Sequence, residues 1–136
     1  MVYGQSTDPR SATLIDTTTV SGPGFLLTND STNDKLDLCA ATEVPIGVSA
    51  ADSSRDADGV LETASATISF YPLGATFLLA SDAVTYTLGQ LVYATNLGRV
   101  TNVAGSNKKV GIYVGNGETA SAGDLVPVNT TTAADA

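Results

Sequence analysis

The stretch from residue 88 to 128 limits what this chain can fold into more than any other. It reads LGQLVYATNLGRVTNVAGSNKKVGIYVGNGETASAGDLVPV. Short apolar pulses at residues 91–93, 110–114 and 125–128 alternate with polar, glycine-rich turns. Two of them open alike, Leu88-Gly89-Gln90-Leu91-Val92 and Ala122-Gly123-Asp124-Leu125-Val126. A glycine turn there delivers the chain into a buried strand. The stretch reads as half of a small β-barrel that is a building block and not a catalyst.

The preceding residues extend the pattern. Residues 24–28 (GFLLT) and 35–39 (KLDLC) make a hairpin around the Asn/Asp/Ser-rich turn 29–34. Residues 44–49 (VPIGVS) form a short strand whose proline favours a strand start or an edge. Residues 66–71 alternate Ala66, Ile68 and Phe70 against Thr67, Ser69 and Tyr71. Residues 75–80 are almost continuously apolar. Pro45-Ile46-Gly47-Val48 echoes Val110-Gly111-Ile112-Tyr113-Val114. The units differ in length and the echo covers fragments, so no repeat protein is expected.

Residues 1–23 are polar and poor in core material, punctuated by Asp8-Pro9 and Gly22-Pro23-Gly24. They read as an extended N-terminal arm laid on a partner, or equally as an edge strand of the same domain. The expected organisation is an arm over 1–23, a β domain over 24–128 and a flexible tail over 129–136. The expected fold class is mainly β with little helix.

Composition narrows function by exclusion. Six basic residues face fourteen acidic ones, a net charge of −8. Nucleic-acid binding needs Lys or Arg on phosphates, so no nucleic-acid partner is expected. No apolar run reaches membrane-spanning length, and no membrane partner is expected. The first residues lack the basic region and apolar core of a secretory signal, so assembly in a cytoplasm is expected. The lone Cys39 sits beside apolar residues and reads as a small buried hydrophobe.

Without a histidine the chain has no ordinary general base, no Ser-His triad and no His-based metal site. Asp30, Thr32 and Asp34 are spaced like the first ligands of a calcium loop. However, Lys35 stands where glycine is required and Ala41 where the bidentate Glu belongs. Asp56 and Asp58 form a weaker cluster still. The Asn29 and Asn129 glycosylation patterns read as chance without a signal. The tyrosines read as core-rim packing. No catalytic residue, metal site or cofactor is expected, and the chain is not expected to be an enzyme.

One resemblance gathers these fragments. Pro45-Ile46-Gly47-Val48, Gly89-Gln90-Leu91-Val92-Tyr93-Ala94, Gly98-Arg99-Val100-Thr101, Val110-Gly111-Ile112 and Gly123-Asp124-Leu125-Val126-Pro127-Val128 occur in an order that resembles head-decoration (capsid cement) proteins of tailed bacteriophages and archaeal viruses, of the lambda type. The resemblance implies a β-tulip or β-clip-like domain. It implies a homotrimer on the outer capsid at three-fold and quasi-three-fold sites, with the major capsid protein as partner. Its role would be to hold the shell against internal DNA pressure. The expected capsid-binding residues lie in the arm: Leu14, Ile15, Thr17, Thr18, Thr19 and Val20. Alternatives are another virion component, such as a head fibre or tail part, or a stand-alone carbohydrate-binding β-module. On the first reading, contact belongs to the arm and loops and not to residues 88–128.

Overall fold

A computed structural model describes residues 9–30 and 34–131. Residues 1–8, the turn residues 31–33 and residues 132–136 lie outside it, with most of the expected tail and part of the expected 29–34 turn. The described chain is mainly β. Its strands are β1 (Arg10–Thr13), β2 (Leu26–Asp30), β3 (Lys35–Leu38), β4 (Gly47–Ser49), β5 (Thr67–Pro72), β6 (Thr76–Ala80), β7 (Thr85–Tyr86), β8 (Leu91–Ala94), β9 (Val100–Thr101), β10 (Lys109–Tyr113), β11 (Glu118–Thr119) and β12 (Leu125–Asn129). The helical content is one short 3-10 turn, Asn96–Gly98. No helix among the described residues is long and apolar enough to cross a membrane.

The strands form two five-stranded antiparallel sheets, ordered β1-β5-β4-β2-β3 and β6-β12-β10-β8-β9, with a small β7–β11 pair beside the second. The two orders are the same topology. In each, the first strand pairs with the last, then come the fourth, second and third main strands. Each sheet also curls so that its two edges meet through one parallel bridge, Leu14 to Leu36 in the first and Ser81 to Val100 in the second. Neither sheet closes as a continuous ladder, so the single barrel expected for residues 24–128 is replaced by two curled lobes. The physical reason is the number of strands. Ten main strands could not surround a core as thin as these short pulses supply, and two small cores form instead.

The equivalence reaches single hydrogen bonds. Leu14 N–H donates to Ala66 O at 2.8 Å, and Ser81 N–H to Asp124 O at 2.8 Å. Ile15 N–H reaches Leu36 O at 2.9 Å, and Asp82 N–H reaches Val100 O at 2.9 Å. Gly24 N–H bonds Ser49 O and Gly89 N–H bonds Tyr113 O, both at 3.0 Å. Ser49 N–H bonds Phe25 O and Tyr113 N–H bonds Gln90 O, both at 2.8 Å. From Asp34–Ser49 to Gly98–Tyr113 the two lobes superpose in sequence without a gap, although only Ala40/Ala104 and Gly47/Gly111 are identical. The echo noticed in the sequence is therefore the fourth main strand of each lobe, and the chain is a structural repeat after all. The backbone pairing is shared while the side chains differ, which is why identity does not reveal it.

The first core holds Leu14, Val20, Leu27, Leu36, Ala66 and Ile68. The second holds Leu79, Tyr86, Val92, Ala94, Val100, Val110, Tyr113, Val126 and Val128, and recruits Leu26, Cys39 and Val48 from the first lobe. The lobes are stitched by Ala80 N–H to Gly24 O at 2.8 Å, Gly98 N–H to Cys39 O at 2.9 Å and Lys108 N–H to Ala41 O at 2.9 Å. The first lobe thus seats the outer face of β2 and β4 on the seam of the second.

Residues 10–23 are part of this fold and not a separate arm. β1 pairs with β5 over its whole length, the edge-strand alternative of the sequence reading. The C-terminal boundary also moves outward. Asn129 ends β12, and buried Thr130 donates its hydroxyl to Ala75 O at 2.6 Å and accepts from Gly74 N–H at 2.9 Å.

Candidate functional site

The residues expected to bind a capsid fall into two groups. Leu14 and Val20 are buried, at 0% and 1% exposure, and anchor the first core. Val20 N–H donates to Ser53 Oγ at 3.0 Å and its carbonyl accepts from Ser53 N–H at 2.9 Å. This bond occupies the place that the β7–β11 pair holds in the second lobe. Neither side chain is available to a partner in this fold. Ile15, Thr18 and Thr19 are half-buried, and Thr17 is exposed with φ 71°. Thr18 Oγ1 donates to Asp37 Oδ1 at 2.8 Å. The segment is a strap across the first lobe, with Asp16 and the Thr17–Thr19 crest facing outward.

No group of His, Cys, Asp or Glu among the described residues could hold a metal. Asp56 of the acidic loop instead caps its own turn, accepting from Asp58 N–H at 2.9 Å and Val60 N–H at 3.0 Å. Burial pushes the Cys39 thiol up to about 12, with the Glu43 carboxylate adding to the effect. A thiol so disposed is packing, not a nucleophile.

Tyr86 and Tyr113 stack inside the second core at 5.1 Å. Tyr86 Oη and Ser81 Oγ share a 2.6 Å hydrogen bond, and Tyr86 Oη donates to Val100 O at 3.3 Å. Ser81 and Val100 are the bridge that brings the sheet edges together, so Tyr86 staples the seam from within. The first lobe closes its seam with apolar Leu14 and Leu36 and needs no such staple. Tyr113 Oη donates to Glu118 Oε1 at 2.9 Å and accepts from Gly117 N–H at 3.1 Å. These phenols are committed to the fold.

What the sequence reading missed lies on the outside of the second sheet. Val126, Val128, Leu79, Val92 and Tyr113 point inward. The alternate positions Leu78, Leu91 and Leu125 are large, apolar and exposed, with Val114 just past β10. Pro127 lies opposite Leu78, and Ile112 lies opposite Leu91. Leu78 reaches 56% exposure. Strands apolar at consecutive positions are the mark of a sheet covered on both faces. The runs Phe77-Leu78-Leu79-Ala80 and Leu125-Val126-Pro127-Val128 carried that signal in the sequence.

Beside this face, where the lobes join, lies a groove of about 250 Å3, lined chiefly by Pro23, Val48, Tyr71, Phe77, Leu78 and Leu125. Tyr71 and Phe77 stack across it at 5.9 Å. A second depression of about 180 Å3 lies between the strap residues Thr19–Ser21 and Leu97–Arg99. There Arg99 reaches Asp82 at 3.8 Å.

No protein-family profile matches the chain, and no curated protein matches it.

Proposed function

We propose that this chain is a viral structural protein that binds the outer surface of a capsid, as a homotrimer, and stabilises the shell against internal pressure. The observation that carries the reading is the outward apolar face of the second sheet. Leu78, Val114, Leu125 and Pro127 form a charge-free patch on a chain of net charge −8. A patch of this kind beside a groove is suited to protein contact. The order of strand motifs described above supports the same reading. The major capsid protein is the proposed partner, contacted by this face and by the Thr17–Thr19 crest. Three linked copies would sum modest contacts into high avidity. The site of action is the virion exterior, after assembly in a host cytoplasm.

The test is co-sedimentation with capsid shells lacking this chain. Native protein pellets with the shells and saturates. Leu78→Asp combined with Leu125→Asp, both at exposed positions, lowers affinity at least about tenfold. Full-strength binding by the double variant would overturn the proposed contact. Native protein that never pellets with the shells would overturn the function.

A second reading, a carbohydrate-binding module, draws on the stacked Tyr71 and Phe77 in the groove. Saturable binding to a glycan array, lost in Tyr71→Ala, would favour it over the first.

A further inference from the structure

The depression between the strap and the β8–β9 turn holds a cation whose donors the fold leaves unused. Arg99 lines it together with Thr19, Ser21, Phe25, Leu38 and Leu97, around a volume of about 180 Å3. A guanidinium presents five N–H donors in a fixed fork. Among the described residues, none of those of Arg99 finds a hydrogen-bond acceptor. Nε is sealed from solvent without a partner. Asp82 stands 3.8 Å from Nη1, beyond the roughly 2.7–2.9 Å of a charge-assisted hydrogen bond. The side chain keeps 31% exposure, and both Nη groups remain reachable. A desolvated guanidinium is costly unless an anion is close. Asp82 meets that need only in part.

The rest of the depression suits an apolar body. Phe25 and Leu38 come from the first lobe, and Leu97 comes from the β8–β9 turn of the second. Gly98 sits down on the first lobe. Its N–H donates to Cys39 O at 2.9 Å, and an added Cβ would meet Leu26 O at 2.8 Å and Leu38 Cδ2 at 3.0 Å. That close seat holds Leu97 and Arg99 on either side of it at the rim. Leu97 takes φ 63° and is 61% exposed. A leucine in the left-handed region is strained, and strained residues cluster at ligand sites. Glycine would make this turn without strain, whereas leucine adds an apolar wall. Asp37, the carboxylate next to Leu38, is already committed. Its Oδ1 accepts from Thr18 Oγ1 and from Leu38 N–H, both at 2.8 Å.

We propose that this depression binds a small amphipathic carboxylate, an organic acid on a short apolar stem. The carboxylate accepts from the Nη groups of Arg99, and the stem lies against Phe25, Leu38 and Leu97. The fork of a guanidinium matches the two oxygens of a carboxylate. It also matches phosphate, and the surroundings decide between them. A phosphate would leave the apolar wall unmatched, and a chain of net charge −8 repels a dianion more than a monoanion. The volume lies below the roughly 300–1,000 Å3 of pockets for drug-sized ligands, so the acid is small. Binding here needs only the isolated protein and stands apart from shell binding.

The experiment titrates the full native chain with hexanoate and follows backbone amide resonances by nuclear magnetic resonance. Saturable shifts are expected at Thr19, Ser21, Leu97 and Arg99. Inorganic phosphate keeps the charge without the stem, and hexanol keeps the stem without the charge. Each should bind at least about tenfold more weakly than hexanoate, and Arg99→Gln should weaken hexanoate by a similar factor. Leu97→Gly removes the wall and relieves the left-handed strain. It should lose affinity severalfold while its melting temperature stays within a few degrees of native, which separates loss of the site from loss of the fold. Hexanol binding as tightly as hexanoate, or native affinity in Arg99→Gln, would overturn the role of the guanidinium. Phosphate binding as tightly as hexanoate, or native affinity in Leu97→Gly, would overturn the apolar stem. Hexanoate that causes no saturable shift at these residues would overturn the site itself.

Discussion

At the scale of single residues, the lobes share a glycine for a reason of space. At Gly47 an added Cβ would meet Phe70 Cδ2 at 2.6 Å and Tyr71 O at 3.0 Å. At Gly111 it would strike the backbone carbonyl of Asn129. In both lobes the last strand crosses the fourth too closely for a side chain, which accounts for glycine at both positions. Gly111→Ala should cost about 1–3 kcal/mol, read as a lower urea midpoint with unchanged slope. Gly47→Ala should cost less, since the Phe70 ring can move. The close backbone approach at Gly111 was legible from glycine inside a strand pattern. Its partner was not, because strand pairing is set by topology and not by local sequence.

The buried ionisable groups set an alkaline limit. Burial raises the Tyr86 phenol above its ordinary 10.0, despite the opposing Ser81 hydrogen bond. Tyr113 is raised by burial and by its bond to Glu118, and Cys39 rises from 9.0 to about 12. In each case the folded state holds its proton more tightly than the unfolded chain. Stability is therefore fully present below about pH 9 and declines as pH rises through 9 to 12. The chemical-denaturation midpoint should fall across that window, and Tyr86→Phe should flatten the fall. At neutral pH the same substitution removes the seam staple and should cost about 1–3 kcal/mol. Cys39 should react with a thiol reagent only after denaturant is added. Its burial was legible from its apolar neighbours, whereas the tyrosine staple joins residues that no sequence motif relates.

At the scale of elements, the N-terminal segment carries the largest difference between sequence and structure. Residues 10–20 show no alternation because β1 is an edge strand, with few apolar anchors and polar faces in water. Leu14 and Val20 do the anchoring from outside the strand. Removing residues 1–9 should leave the melting temperature within a few degrees of native. Removing residues 1–20 strips β1 and two core side chains, and should unfold the first lobe. Circular dichroism and dye binding to exposed apolar surface separate the two results. A 1–20 deletion that melts like the native chain would show that β1 and its anchors contribute little.

At the scale of the whole molecule, the mainly-β class was legible from short pulses and regular turns, but the division into two lobes was not. A five-stranded order needs distant partners, β1 with β5 and β6 with β12, and such pairings leave little local trace. The outward apolar face changes the meaning of residues 88–128. They read in the sequence as pure scaffold, yet they carry Leu91, Val114 and Leu125 on an exposed surface. On the proposed function, that surface meets the shell.

The most direct measurement is electron cryomicroscopy of capsid shells prepared with and without this chain. Added density is expected on the outer surface only, into which both lobes fit, with Leu78 and Leu125 toward the shell. Density inside the shell or at the tail, or two identical maps, would contradict it.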